Sequence, residues 1–103
     1  MRHAVLTKVF HYNHLNGEFH YCSNTDLVQK RHWGKKAGTR KHCGHVCLTY
    51  KTKRYSASQL AWYYMTKKWP TTRVWHLNGD PSDNSWINLS EDPNTPFNLR
   101  EKQ

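Results

Sequence analysis

Two Asn-Gly pairs, Asn16-Gly17 and Asn78-Gly79, interrupt a chain crowded with aromatic side chains. Asn-Gly is the dipeptide best suited to the positive φ angles of a tight hairpin turn, so each pair marks a place where the backbone reverses. "FHYNHLNGEFHYC" sets aromatic residues on both sides of the first pair and predicts a β-hairpin with Asn16 and Gly17 at its turn. With 103 residues there is room for one small domain, and a domain of that size buries only about 60 to 70% of its unfolded surface. The 5 Trp, 6 Tyr and 3 Phe answer that shortage, because an aromatic ring buries more area than an aliphatic side chain and keeps a polar edge where cover is thin.

"HAVLTKVF" spaces apolar residues at 4, 5, 9 and 10 and predicts a short N-terminal helix. "SNTDLVQKRHWGKKAGTRKH" has no clear period and reads as a loop with one helical turn. "CGHVCLTYKTKRYSA" alternates as a second hairpin turning near Lys51-Thr52-Lys53. "SASQLAWYYMTKKWP" places Leu60, Ala61, Tyr64 and Met65 on one helical face, with Ser56 or Ser58 as N-cap and Pro70 as the stop. "TRVWHL" is a strand running into Asn78-Gly79, "PSDNSWINLS" a wound loop that returns as a second short strand, and "NTPFNLREKQ" a last helix capped by Thr95 with Pro96 at its first position. The order predicts a single α+β domain with two β-hairpins, a central helix and a C-terminal strand–loop–strand–helix unit. No apolar run approaches the roughly 20 residues that cross a bilayer, and the start "MRHAVLTKVFHY" is too short and too polar for a signal peptide. The expectation is a soluble, intracellular protein without a membrane partner.

The charge is +9, from 16 Lys and Arg against 7 Asp and Glu, and it is unevenly spread. Residues 1–73 hold 14 basic and 2 acidic residues, a net +12, whereas residues 74–103 hold 2 and 5, a net −3. A basic body favours a polyanionic partner, since each Lys or Arg set against a phosphate releases condensed counterions. The acidic tip suits a cation. Within the body, Lys30, Arg31, Lys35, Lys36, Arg40 and Lys41 gather around Trp33, and Lys51, Lys53 and Arg54 fall at the second hairpin's turn. Basic residues interleaved with an aromatic can hold a nucleic-acid backbone while the ring stacks on a base.

Cys22, Cys43 and Cys47 are an odd set in a chain without an export signal, which argues against a disulfide framework. Alternation puts Cys43, His45 and Cys47 on one face of a strand, with His20 and Cys22 sharing a face of the earlier hairpin. These could form a Cys₃His zinc site. The C-x₃-C spacing is loose and free cysteine is a common small core residue, so zinc is not expected.

The polar cluster around the second Asn-Gly pair is either turn punctuation or the skeleton of an active site. "RVWHLNGDPSDNSWINL" resembles "vDHiNGdpsDNrweNL", a pattern of phage-type HNH endonucleases, whose active site is a ββα-metal unit. Upstream, "VFHYNHLNGEFHY" is similar to their "lFdYdpetGvLtW" opening, and "KKAGTRKHCGHVCLTYKTKRYSASQLAWYY" to their "kaGt...GYv.v...gk.Y.aHRLAWl" middle. Nearly the whole chain is covered, in order and with similar spacing. The resemblance implies a C-terminal ββα-metal unit at 74–103 on a basic DNA-binding body at 1–73.

It also implies roles. Hydrolysing a phosphodiester requires that a water lose a proton as it attacks phosphorus and that the leaving 3′ oxygen meet a positive charge. His76 matches the general base, and Asn88 the central asparagine that fixes the loop orienting it. Asn84 matches a structural "DN" asparagine, with Gly79 in the turn. The ligand slot on the final helix fits Asn98, with Phe97 and Asn94 as competing registers. Where the family usually carries an acidic ligand before the base, this chain has Trp75, whose indole offers no lone pair to Mg²⁺. The divalent ion, Mg²⁺ or Mn²⁺, then falls to Asp80, Asp83 or Asn98. Ser58 and Gln59 stand where the family often has His and Arg, which removes a phosphate or support contact. The leading expectation is therefore an HNH-type endonuclease that nicks or cleaves DNA, in the cytoplasm of an infected or lysogenic host cell. The alternative is a catalytically degenerate relative that binds nucleic acid or a host nucleoprotein complex as an inhibitor or regulator.

Overall fold

The structure, a computed structural model, describes residues 2–71 and 73–92. The expected C-terminal helix, with Asn94, Thr95, Phe97 and Asn98, lies outside the described residues. Among them are helix α1 (His3–Val9), strands β1 (Phe10–Tyr12) and β2 (Phe19–Tyr21), and a 3₁₀ turn (Lys30–His32). Next come β3 (Lys36–Ala37), β4 (Thr39–Arg40), β5 (Val46–Tyr50), β6 (Lys53–Ser56) and helix α2 (Ala57–Thr66). The tip follows as β7 (Trp75–His76), a 3₁₀ turn (Trp86–Asn88) and β8 (Leu89–Ser90). The strands form three small antiparallel sheets, β1-β2-β3, β4-β5-β6 and β7-β8. The α+β class and both hairpins stand as expected. No helix among the described residues is long and apolar enough to cross a membrane.

Helix α1 has only 7 residues, too few to hold itself together in water. It persists because Leu6 and Val9 are buried against α2, while Ala4, expected on the inner face, is exposed. His3 ties the two helices by a hydrogen bond from its Nε2 to the Tyr64 carbonyl, 3.0 Å. The core runs from these residues through Phe10, Phe19, Leu48, Leu60 and Leu89. Burying each such side chain contributes about 1.5–3 kcal/mol.

The first hairpin is looser than the Asn-Gly signal predicts. Of the pair, only Gly17 takes a positive φ, +76°. The loop spans residues 13–18, closed by Asn13 N–H to Glu18 O at 2.8 Å and Gly17 N–H to Asn13 O at 2.7 Å. Asn16 is used through its side chain instead, its Oδ1 accepting the Glu18 N–H at 2.9 Å. The region taken as a basic loop contains β3 and β4, which extend the two hairpins by two residues each. Strands this short leave no periodic signal.

The second hairpin turns where expected but with unfavourable residues. Lys51 and Thr52 take φ of +47° and +69° between the paired Tyr50 and Lys53. Both positive angles mark a type I′ turn, and a β-branched residue is costly there. Replacing Lys51-Thr52 by Asn-Gly is expected to raise stability by about 1 kcal/mol, read as a higher urea midpoint with an unchanged slope.

Helix α2 starts at Ser56, the expected N-cap position, yet the Ser56 hydroxyl is paired with that of Ser58 at 2.9 Å rather than capping a backbone N–H. Its buried face is Ala57, Ser58, Leu60 and Ala61. Met65, expected on that face, is exposed, and Tyr64 is half-buried against His3 and Tyr12. The helix ends at Lys67 in the left-handed region, φ +63°, before Pro70 is reached.

Candidate active site

The tip is built by its own amides. Gly79 N–H closes a turn onto the His76 carbonyl at 3.0 Å, and Leu77 N–H pairs with Asn88 O at 2.8 Å. Asn88, fully buried, sits at the centre. Its Oδ1 accepts the Asn78 N–H at 2.8 Å and its Nδ2 donates to the Asp83 carbonyl at 2.7 Å, so one side chain spans both arms of the loop. Two backbone groups thereby satisfy the Asn88 amide, which burial would otherwise strand.

His76 is half-buried, not sealed. Its Nε2 lies 2.9 Å from Oδ1 of the buried Asn84. An amide oxygen can only accept, so the ring donates from Nε2 and its neutral form carries the basic lone pair on Nδ1. Asn84 thus acts as the positioning residue for the imidazole. Asn84 is braced in turn by the first hairpin, since the Tyr12 hydroxyl donates to its carbonyl and His14 O accepts the Trp86 N–H at 2.9 Å. Gly17 lies so close that a Cβ there would fall 2.3 Å from Asn84 C and Ser85 N.

Around His76 the surface forms a pocket of about 240 Å³ lined with His45, Arg73, Trp75, Gly79 and Pro81. The His45 and His76 rings are 5.8 Å apart, centroid to centroid, at 66°. His45 and Arg73 also line an adjoining groove of about 480 Å³ with Ser56, Ser58 and Gln59. The three positions that depart from the HNH pattern, Trp75, Ser58 and Gln59, therefore line this pocket or its adjoining groove. Trp75 lies under the Arg73 guanidinium, 4.7 Å from its ring centroid, a stacking that cation–π attraction favours.

The acidic residues serve the loop. Both oxygens of Asp83 are engaged, Oδ2 by Asn78 Nδ2 at 2.9 Å and Oδ1 by the Ser85 hydroxyl and N–H at 2.7 and 3.2 Å. Asp80 Oδ1 takes the Ser82 hydroxyl and N–H at 2.7 and 3.0 Å. Those bonds, with lesser help from Arg40 and His76, hold the Asp80 carboxyl below its ordinary pKa. A hard divalent ion needs several free oxygens at short range, and the described carboxylates fit one poorly: Asp83 already accepts three hydrogen bonds, and Asp80 accepts two through Oδ1 and keeps its other oxygen. Among the described residues no group of three His, Cys, Asp or Glu gathers. Cys22 is paired with the Thr7 carbonyl at 3.6 Å, and burial pushes its thiol up, away from the thiolate that zinc requires.

The expected basic residues divide into two groups. Lys30, Arg31, Lys35 and Lys36 surround the first hairpin, where Lys36 pairs with Glu18 at 3.1 Å and Lys30 lies over Trp33. The Trp33 indole N–H donates to Val28 O at 3.1 Å and its ring packs on the core, so it is an anchor rather than a free stacking platform. Arg40, Lys41, Lys51, Lys53 and Arg54 belong to the second sheet and its loops, with Lys41 and Arg54 lining one cleft on its outer face. That sheet meets the tip where Gly44 packs on Pro81, a Cβ there falling 2.8 Å from the proline ring. His45 and Arg73 complete the site and were not assigned to it from sequence. His45 followed an alternation that placed it with cysteines, and Arg73 carried no local signal.

No protein-family model, curated protein or solved structure matches this chain.

Proposed function

We propose that this protein binds nucleic acid through its basic body and cleaves DNA phosphodiester bonds as an HNH-type endonuclease, with His76 as general base. The observation that carries the reading is the Asn84–His76 hydrogen bond. It leaves Nδ1 as the proton acceptor of a half-exposed ring in a pocket shared with Arg73. A guanidinium there can grip a non-bridging phosphate oxygen by paired hydrogen bonds. Asn88 and Asn84 hold the ring, which makes a proton acceptor in fixed geometry. The experiment is supercoiled plasmid incubated with the protein in Mg²⁺, in Mn²⁺ and in EDTA. Nicked circles support the reading, and intact plasmid under every condition overturns it.

A second reading, a binder that retains the charge but does not cut, is favoured by one observation: Trp75 and the engaged Asp83 stand where ion ligands were expected. It predicts equal DNA affinity in Mg²⁺ and in EDTA.

Either reading places Lys41 and Arg54 on the phosphate backbone. The double variant Lys41→Ala, Arg54→Ala is expected to weaken DNA binding and lower the slope of log affinity against log salt by about 2, measured by fluorescence anisotropy across a salt series.

A further inference from the structure

We infer that His45 is a second catalytic residue, the general acid that partners His76, and that the pair cleaves single-stranded RNA without a metal ion. The inference rests on His76 being the base. Its own observation is the poor fit of the described carboxylates to a cation, set against two imidazoles and a guanidinium in one pocket.

The rings of His45 and His76 are 5.8 Å apart, close enough for one phosphate to touch both. Arg73 lines the same pocket and supplies a permanent positive charge. A phosphodiester seated there meets an acceptor, a donor and a charge clamp. Without a cation, attack by water on DNA has no assistance at the nucleophile beyond proton removal. A ribose carries its nucleophile already attached, and an oriented internal group acts at an effective concentration of up to about 10⁵–10⁸ M. The arrangement therefore suits RNA.

In the step, His76 Nδ1 takes the proton of the 2′ hydroxyl as that oxygen bonds to phosphorus. The P–O5′ bond breaks, and the departing 5′ oxygen receives a proton from the His45 imidazolium. The products are a 2′,3′-cyclic phosphate and a free 5′ hydroxyl, with no oxidant, reductant or cation consumed. Arg73 pairs with a non-bridging oxygen as negative charge builds on the phosphoryl group. Next to the pocket, the polar groove beside Ser56, Ser58 and Gln59 receives the adjoining nucleotide.

The test is an end-labelled single-stranded RNA oligonucleotide and the DNA of the same sequence, each with the full chain in EDTA. RNA is expected to be cut and DNA left intact, with mass spectrometry finding 2′,3′-cyclic phosphate ends. His45→Gln and His45→Ala are each expected to slow RNA cleavage about 100-fold at unchanged melting temperature, and a His76→Ala preparation purified identically excludes a contaminant. RNA left intact in EDTA, linear phosphate ends, or a His45→Gln rate equal to the parent's would overturn the inference. Plasmid nicking that depends on His76 while RNA stays intact sinks this inference and leaves the DNA reading standing; the reverse result does the opposite.

Discussion

A His76→Ala protein is expected to fold as the parent does and to cut DNA about 10² to 10⁴ times more slowly. The loss follows from removing Nδ1, the lone-pair nitrogen of a ring held in a fixed direction through Nε2 by Asn84. Stability should change little, because the ring is half-exposed and, among the described residues, its side chain makes one hydrogen bond, a contribution of about 1 kcal/mol. Circular dichroism and a urea melt establish the fold, and the rate of plasmid nicking establishes the loss. Asn84→Ala gives a useful contrast. It keeps the imidazole but frees it to rotate and exchange tautomers, so activity should fall by less. A His76→Ala protein that nicks at the parental rate would remove His76 from catalysis altogether.

Gly17→Ala is expected to cost about 3 kcal/mol or more, the sum of a left-handed backbone and a steric clash. A Cβ at residue 17 would sit 2.3 Å from two backbone atoms, Asn84 C and Ser85 N, and neither can swing aside as a flexible side chain would. Either the hairpin loop or the tip must move. In a chain of this size the melting temperature should drop by roughly 10–20 °C, and cleavage should fall with it because Asn84 aims His76. Gly79 is the control. Its φ is equally positive, +79°, but nothing lies within 4 Å of its Cβ position, so Gly79→Asn should be nearly neutral. Differential scanning calorimetry on the two variants separates them.

The legible parts of the fold are those written in neighbouring residues. Alternation gave β5 and β6, the helical spacing of Leu60 and Ala61 gave α2, and "TRVWHL" running into Asn78-Gly79 gave β7 and its turn. Asn88 was placed at the centre of its loop through the resemblance, and its amide does span that loop, to residues 5 and 10 positions upstream. What escaped the sequence depends on distant partners. Gly17 looked like turn chemistry, and its turn role is real, but its closest neighbours are 67 and 68 positions away. Tyr12 and Arg73 bear no mark of their roles, because a phenol and a guanidinium read as core and surface until the chain brings Asn84 to the one and His45 to the pocket of the other. Asp80 and Asp83 carry a second, local role that their acidity did not announce: serine and asparagine donors two to five residues away bond to both carboxylates.

The bracing of Asn84 by Tyr12 spans 72 positions. A ribosome synthesising this chain therefore releases Tyr12 long before Asn84, and the His76 imidazole acquires its aim only once both have emerged.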